Sequence, residues 1–388
     1  MRFLVPCIVL TLLLFTQELK ANDLRVGPNS DYKIISEAIS ALEQSGMKGH
    51  VNLLLEDGQY NEQIEIQYIQ GMSENAILTI KPMNGASGNV EVFFSPTTAL
   101  KNYTVKAGLG SFISLKGLTI SSKGTGYSTP IQITGVGLFS IDECLIIGKA
   151  NSSNSTSQSL IFSDDRYKSE TIEITNCELE GGSFGFFGGG MADDYRDHHY
   201  SFQDNTLTDQ SRAGIYIKYL DELDLIGNLI SSSTESAEFE GIAVYNIGPG
   251  LLAEANIVNF KAGQNGIHIA NSGGSESNYS EWRNNSITLG LTPNSNGFYL
   301  EGNSDYILLD FNRVKFNPGL RDISAFAFYK NLSSGESINL VNNIFYNLES
   351  GGYTVIGNTF QKYMENANQS SDEYSTKVNG LFYERIQD

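Results

Sequence analysis

Eight consecutive residues, Asp193-Asp194-Tyr195-Arg196-Asp197-His198-His199-Tyr200, form the densest run of titratable side chains and hold two of the four histidines. Removing a proton next to a substrate carboxylate needs a cation to neutralise the carboxylate and a base to take the proton. Arg196, His198, His199 and, downstream, Lys218 are the candidate catalytic residues for that step. Asp193, Asp194 and Asp197 are candidate ligands for Ca2+, a hard cation that takes carboxylate oxygens. The plain alternative for a mixed-charge run is a solvated loop, and the shorter Asp164-Asp165-Arg166 run reads that way. Neither an EF-hand nor a glycine-rich calcium nonapeptide is present.

A second candidate set is spread along the chain. Gly214-Ile215-Tyr216-Ile217, Gly241-Ile242-Ala243-Val244, Gly266-Ile267-His268-Ile269 and Gly297-Phe298-Tyr299-Leu300 share one phrase, and Ala325-Phe326-Ala327-Phe328 is a Gly-less version. In an extended strand the first and third residues after Gly point one way and the second and fourth the other. With the apolar set inward, the outward set is Tyr216, Ala243, His268, Tyr299 and Ala327, flanked by Lys218, Tyr245, Ala270, Glu301 and Tyr329. Tyr216, Tyr245, His268, Tyr299, Glu301 and Tyr329 are therefore the candidate substrate-binding residues. Aromatic faces next to hydrogen-bonding groups suit sugar rings, although outward tyrosines are common on any β surface.

These residues need a repeating scaffold, and a second phrase supplies it. Residues Cys144, Cys177, Asn205, Asn228, Asn256, Asn285, Asn312 and Asn343 each precede a short apolar strand, at steps of 33, 28, 23, 28, 29, 27 and 31. Asn358 follows after 15, where the register breaks. The Gly-to-Asn gap is 14, 15, 19 and 15 residues, so both strands hold their places while insertions fall in loops. A drifting period with period-2 strands predicts an all-β, single-stranded right-handed parallel β-helix, a solenoid of about 11 or 12 coils and about 50 Å at one strand spacing per coil. Leucine-rich repeats fail on pattern and propeller blades on period. The Asn column is expected to sit at an inner bend, tolerating a left-handed backbone and bonding amide to amide between coils. Cys144 and Cys177 fall in that column one coil apart, and are expected to stack inward as small buried thiols or to form a disulfide.

The ends follow from the same logic, since an open solenoid exposes core and unpaired edges. Ile34, Ile35, Ala38, Ile39 and Leu42 have helical spacing and predict an amphipathic capping helix with Ser30 or Asp31 as N-cap. Residues 1–21 read as a signal peptide, with Arg2 ahead of an apolar run too short to span a bilayer. Residues 22–388 then form one β-helix domain, with the cap over about 24–66 and repeats over about 76–383. The last strand is expected at Gly380-Leu381-Phe382-Tyr383.

Around the predicted cap the chain resembles pectin-methylesterase-like and pectate-lyase-like right-handed β-helix proteins. The resemblance rests on Val26-Gly27, Tyr32-Lys33-Ile34-Ile35-Ser36-Glu37-Ala38-Ile39, and Gly58-Gln59-Tyr60-Asn61-Glu62 before Ile64-Glu65-Ile66. The last segment matches the esterases' Gly-x-Tyr-x-Glu at Gly58, Tyr60 and Glu62. It covers about 45 residues and implies the fold rather than the esterase chemistry. Gln203-Asp204-Asn205-Thr206-Leu207 is similar to the esterases' Gln-Asp-Thr-Leu with an Asn inserted. Their Asp-Phe-Ile-Phe-Gly and Leu-Gly-Arg-Pro-Trp have no counterpart, nor do the polygalacturonases' Gly-His-Gly and Arg-Ile-Lys.

A formal charge of −19 over 388 residues excludes a nucleic-acid backbone binder and docking on anionic lipid. With 40% hydrophobic residues the chain is not disordered. The expected function is that of a secreted or cell-surface monomer engaging an extracellular polysaccharide, without membrane insertion. The alternatives are a polysaccharide lyase acting on a uronic-acid glycan, with Ca2+ or a basic patch offsetting the acidity, and a structural or adhesive solenoid.

Overall fold

The computed structural model describes residues 22–345, apart from 86–87, 151–153, 291, 294, 317–325, 333–336 and 342. The signal-peptide segment, Asn358 and the Gly380–Tyr383 strand lie outside the described residues.

The chain winds as a parallel β-solenoid with three strand-bearing faces. One coil shows the plan: Ala213–Ile226 crosses face 1, bends at Tyr219 and continues along face 2, and Leu229–Ser232 forms face 3. The next coil repeats it as Glu240–Ile247, Leu251–Glu254 and Ile257–Phe260. Faces 1 and 2 share one sheet of 21 strands, and face 3 is a separate sheet of 11, so the described residues span ten full turns. Every strand pairs in parallel with its equivalents one coil away. Along face 1 the register runs Ile215, Ile242, Ile267, Phe298 and Phe328, all buried. The core is therefore a set of inward columns of Ile, Leu, Val and Phe, each sealed by the coil above and below. The glycine opening each face 1 phrase is dictated by close approach: a Cβ on Gly241 would sit 2.5 Å from the Gly266 carbonyl oxygen and 2.3 Å from Val258.

The Asn column is continuous from Asn205 to Asn343. Asn228 donates from its backbone N–H (3.1 Å) and from Nδ2 (2.9 Å) to Oδ1 of Asn256, and from Nδ2 to the Phe202 carbonyl at 2.9 Å. Asn256, Asn285 and Asn312 repeat the pattern, each donating twice to the next Oδ1. The left-handed residue is not the Asn, as expected from the sequence, but the one before it. Glu143, Asn176, Asp204, Ala255, Asn284 and Phe311 all have φ between 52° and 57°. That residue turns the corner, leaving the Asn to aim its amide along the axis. Cys144 and Cys177 are free, buried thiols in this column, and Asn205 Oδ1 accepts from the Cys177 N–H at 3.0 Å.

The helix forms over Ile35–Ser45, with Ile35, Ala38, Ile39 and Leu42 buried in the core. Its N-cap position is Ile34, without a side-chain cap, rather than Ser30 or Asp31. The Glu62 carboxylate takes over that task, accepting from the N–H groups of Ile35 (2.8 Å) and Ser36 (3.0 Å) and from Ser36 Oγ (2.8 Å). Tyr60 is buried, and its hydroxyl donates to the carbonyls of Glu56 (2.9 Å) and Val26 (3.1 Å). The Gly-x-Tyr-x-Glu segment is thus a fastening between helix and first turn. The parallel ladder already includes Asn22–Val26 and Val51–Leu55.

Candidate functional site

The outer side of face 1 carries one continuous column: Lys106, Gln132, Phe162, Phe187, Tyr216, Ala243, His268 and Tyr299. Phe162 and Phe187 stack with planes 3° apart and centroids at 5.8 Å, and Phe187 stacks on Tyr216 at 4.9 Å. Where the column drops to Ala243, Tyr245 leans in from the neighbouring column. Its ring lies 4.9 Å from Tyr216 and 5.0 Å from His268, and His268 in turn lies 4.7 Å from Tyr299. Ala243 and Ala270 leave the room that this lean requires; both are buried. From Phe162 to Tyr299 the stripe crosses five coil spacings, about 24 Å. Its Phe and Tyr rings are half-buried and His268 is buried, rather than the fully exposed set that strand alternation alone implies, because each leans on the next.

A polar cluster sits against this stripe. His268 Nδ1 lies 2.7 Å from Glu240 Oε1 and 3.0 Å from the Tyr245 hydroxyl, and Nε2 lies 3.0 Å from Glu301 Oε1. The Tyr299 hydroxyl donates to Glu301 Oε2 at 2.8 Å. Glu240, 2% exposed, also receives Arg212 Nη1 at 3.1 Å and Asn265 Nδ2 at 2.8 Å. Burial pushes the Glu240 carboxyl up, but hydrogen bonding and charge from His268, with Arg212 and Asn265, outweigh it and hold it below the ordinary value. Glu240 is therefore a fixed anion at neutral pH. Burial, followed by the Glu240 charge, pushes the Tyr245 phenol well up, so it stays protonated.

The structure assembles part of the expected site and separates the rest. Tyr216, Tyr245, His268, Tyr299 and Glu301 meet on face 1. Tyr329 continues the first column opposite Tyr299, not the second beside Glu301. The Gly-less phrase is offset by two, placing Ala327 opposite Gly297; the Tyr329 side chain lies outside the described residues. Lys218 is on face 1 but paired with Asp165 at 2.8 Å. His199 points out from face 2, 3.2 Å from Asp224, and His198 is exposed on the same strand. Arg196 lies at the bend between faces 1 and 2, bridging Asp193 (2.7 Å) and Asp221 (3.0 Å) and donating to the Leu220 and Asn246 carbonyls. It borders an open pocket with Gly248, Asn271 and Asp305. The expected catalytic set of Arg196, His198, His199 and Lys218 is thus split between faces by the bend at Tyr219.

The three aspartates do not converge either. Asp193 is engaged by Arg196, Asp194 is exposed, and Asp197 is buried inside the solenoid, accepting from the Ser169 N–H at 2.9 Å and from the Tyr200 hydroxyl. No group of three His, Cys, Asp or Glu suited to a metal ion occurs among the described residues.

Phe162, Phe187 and Glu240 belong to the site and escaped the sequence reading. The signal for Glu240 was its place just before Gly241, equivalent to Asn265 before Gly266 and Asn296 before Gly297.

The molecule is defined by these features as a parallel β-helix protein with an aromatic and acidic outer face. Among solved structures it is similar to PfbA, a surface adhesin of Streptococcus pneumoniae, at 13% identity and a TM-score of 0.50, covering 83% of this chain and 91% of that one. An alginate lyase from Paenibacillus is similar at 12% identity and a TM-score of 0.44, covering 85% of this chain and 99% of that one. The pectin methylesterase from Aspergillus niger is similar at 13% and 0.37, covering 87% and 92%. Likeness at this level concerns the fold. No family model and no curated protein matches the chain. No helix among the described residues is long and apolar enough to cross a membrane.

Proposed function

We propose that this is a secreted or cell-surface monomer that binds an extracellular polysaccharide along the outer side of face 1. The observation that carries the reading is the unbroken run of rings from Phe162 to Tyr299, with hydrogen-bonding groups at one end. Sugars present apolar C–H faces and polar edges, and such a stripe offers a partner for each. The PfbA likeness supports the solenoid as a surface-borne scaffold, and the apolar run ahead of Ala21 supports export. The protein acts here as a binder, and this reading assigns no role to Arg196, His198, His199 or Lys218.

The test is retention of the full chain on immobilised polysaccharides, compared with Tyr216→Ala, while unsaturated products are followed in the same samples. Binding that weakens about tenfold in the variant, with no product formed, is the expected result. Product formation abolished by Arg196→Ala and His198→Ala would replace the binder with a lyase.

A further inference from the structure

Resting on the face 1 reading, we infer that the ligand is a neutral glycan and that the cleft selects against polyuronates. The face 1 cations whose side chains the structure describes are Lys106, Arg212 and Lys218. Each already faces a carboxylate: Lys106 with Glu65 at 2.8 Å, Arg212 with Glu240 at 3.1 Å, and Lys218 with Asp165 at 2.8 Å. Glu301 stands in the centre of the polar cluster with a side chain 34% exposed, its Oε2 receiving the Tyr299 hydroxyl. Around the ring stripe, Arg212 and Lys218 are thus each taken up by a carboxylate, and His268 bridges Glu240 and Glu301.

A polyuronate brings one negative charge per sugar, and about five sugars lie along a stripe of this length. Those charges would meet cations that are already paired and the partly exposed Glu301 carboxylate, where like charges oppose association and exclude the wrong partner. A neutral pyranose meets no such barrier. Its C–H groups pack against the outward edges of the rings, since Phe187 and Tyr245 already cover Tyr216, and its hydroxyls donate to the Glu301 carboxylate, a charge-assisted bond stronger than a neutral one. Glu301 thereby both attracts hydroxyl-rich sugars and repels uronates.

Calorimetric titration of the full chain tests this, using hexasaccharides of glucose, xylose, mannose and N-acetylglucosamine beside oligoalginate and oligogalacturonate, each with and without Ca2+. At least one neutral hexamer is expected to bind roughly tenfold more tightly than either uronate, with an affinity that changes less than about twofold when salt is raised. Glu301→Gln is expected to weaken the neutral ligand about fivefold while leaving or improving uronate binding. Tighter uronate binding that Tyr216→Ala abolishes would overturn the neutral-glycan inference and leave the face 1 site standing. Neutral binding unchanged in Glu301→Gln would overturn the role of Glu301. Binding to no hexamer would overturn the face 1 reading itself.

Discussion

Two columns of side chains run along several coils of the solenoid on the same spacing, one inside and one out. The inner column repeats Asn from Asn205 to Asn343, and every member bonds its neighbour in the same way. The outer column of face 1 changes residue at each coil, from Phe162 through Tyr216 and Ala243 to His268 and Tyr299. A buried amide has only the coils above and below to satisfy it, so identity between coils is enforced. An outward residue has solvent as an alternative, so its variation is free to serve a ligand. In this solenoid the repeat builds the scaffold, and departures from it mark the proposed site.

Cutting the inner column is the strongest way to break that contrast. Asn256→Ala removes the acceptor for the Asn228 N–H and Nδ2, and the donors to Leu225 and Asn285. Stranding two buried donors and the Leu225 carbonyl, while Asn285 Oδ1 keeps only the backbone N–H of residue 256, costs about 4 kcal/mol, read as a lower urea midpoint and faster amide exchange in the flanking coils. Asn256→Cys should cost about half as much, since Cys144 and Cys177 already fill this column and Cys177 still takes an Asn acceptor on its N–H. Equal losses for Ala and Cys would show that the column depends on amides alone.

Asp197 breaks the rule that the inside is uncharged, and pH exposes it. Burial, opposed in part by the Tyr200 and Ser169 hydrogen bonds, raises its carboxyl to about 6. The folded chain therefore holds a proton between about pH 4 and 6 that the unfolded chain has released. The contribution of this group to stability is greatest at the acidic end and falls as pH rises through that window, by roughly 3 kcal/mol in all. Asp197→Asn should flatten this slope and leave the protein more stable at neutral pH. A wild-type chain whose unfolding midpoint shows no Asp197-dependent slope from pH 4 to 7 would contradict the assignment.

How much of this was legible follows from the same contrast. The β-helix, its drifting period and the Asn column could be read because identical residues recur wherever the environment is identical. The aromatic stripe was half legible. Strand alternation put Tyr216, Tyr245, His268 and Tyr299 on one side, but Phe162 and Phe187 lacked the Gly-led phrase, and the Gly-less phrase set Tyr329 two places out of register. Glu240 was hidden because its meaning lies in contacts 25 to 28 residues away, to Asn265 and His268. The Asp193–Tyr200 run misled for the opposite reason. It is dense in sequence, yet the fold sends Asp197 inward, His199 to face 2 and Arg196 to the bend.

Within the outer cluster, depth should separate structural members from ligand-facing ones. Glu240→Gln leaves Arg212 and His268 facing an amide in a buried setting and is expected to cost about 2 kcal/mol of stability. Glu301→Gln, at a half-exposed carboxylate, should change stability by less than about 0.5 kcal/mol. If both substitutions destabilise equally in thermal melts, the cluster is one structural unit and the distinction fails.

A modest loss at the far end sharpens the contrast from the other side, because Glu62 is an outlying carboxylate that serves only the scaffold. Its oxygens stand in for a helix cap at Ile35 and Ser36, while the N-cap position, Ile34, offers no side-chain oxygen. Removing a cap of this kind costs about 1 kcal/mol, so Glu62→Ala should destabilise by that amount and Glu62→Gln by less, as the amide keeps one acceptor. The loss should be confined to faster exchange at the amides of Ile35–Ser45. Exchange in the Asn column and affinity on face 1 should not move, because the helix reaches neither. A Glu62→Ala chain that lost glycan binding while its coils stayed protected would show that this end of the solenoid feeds the site, and that scaffold and site are not separable by column.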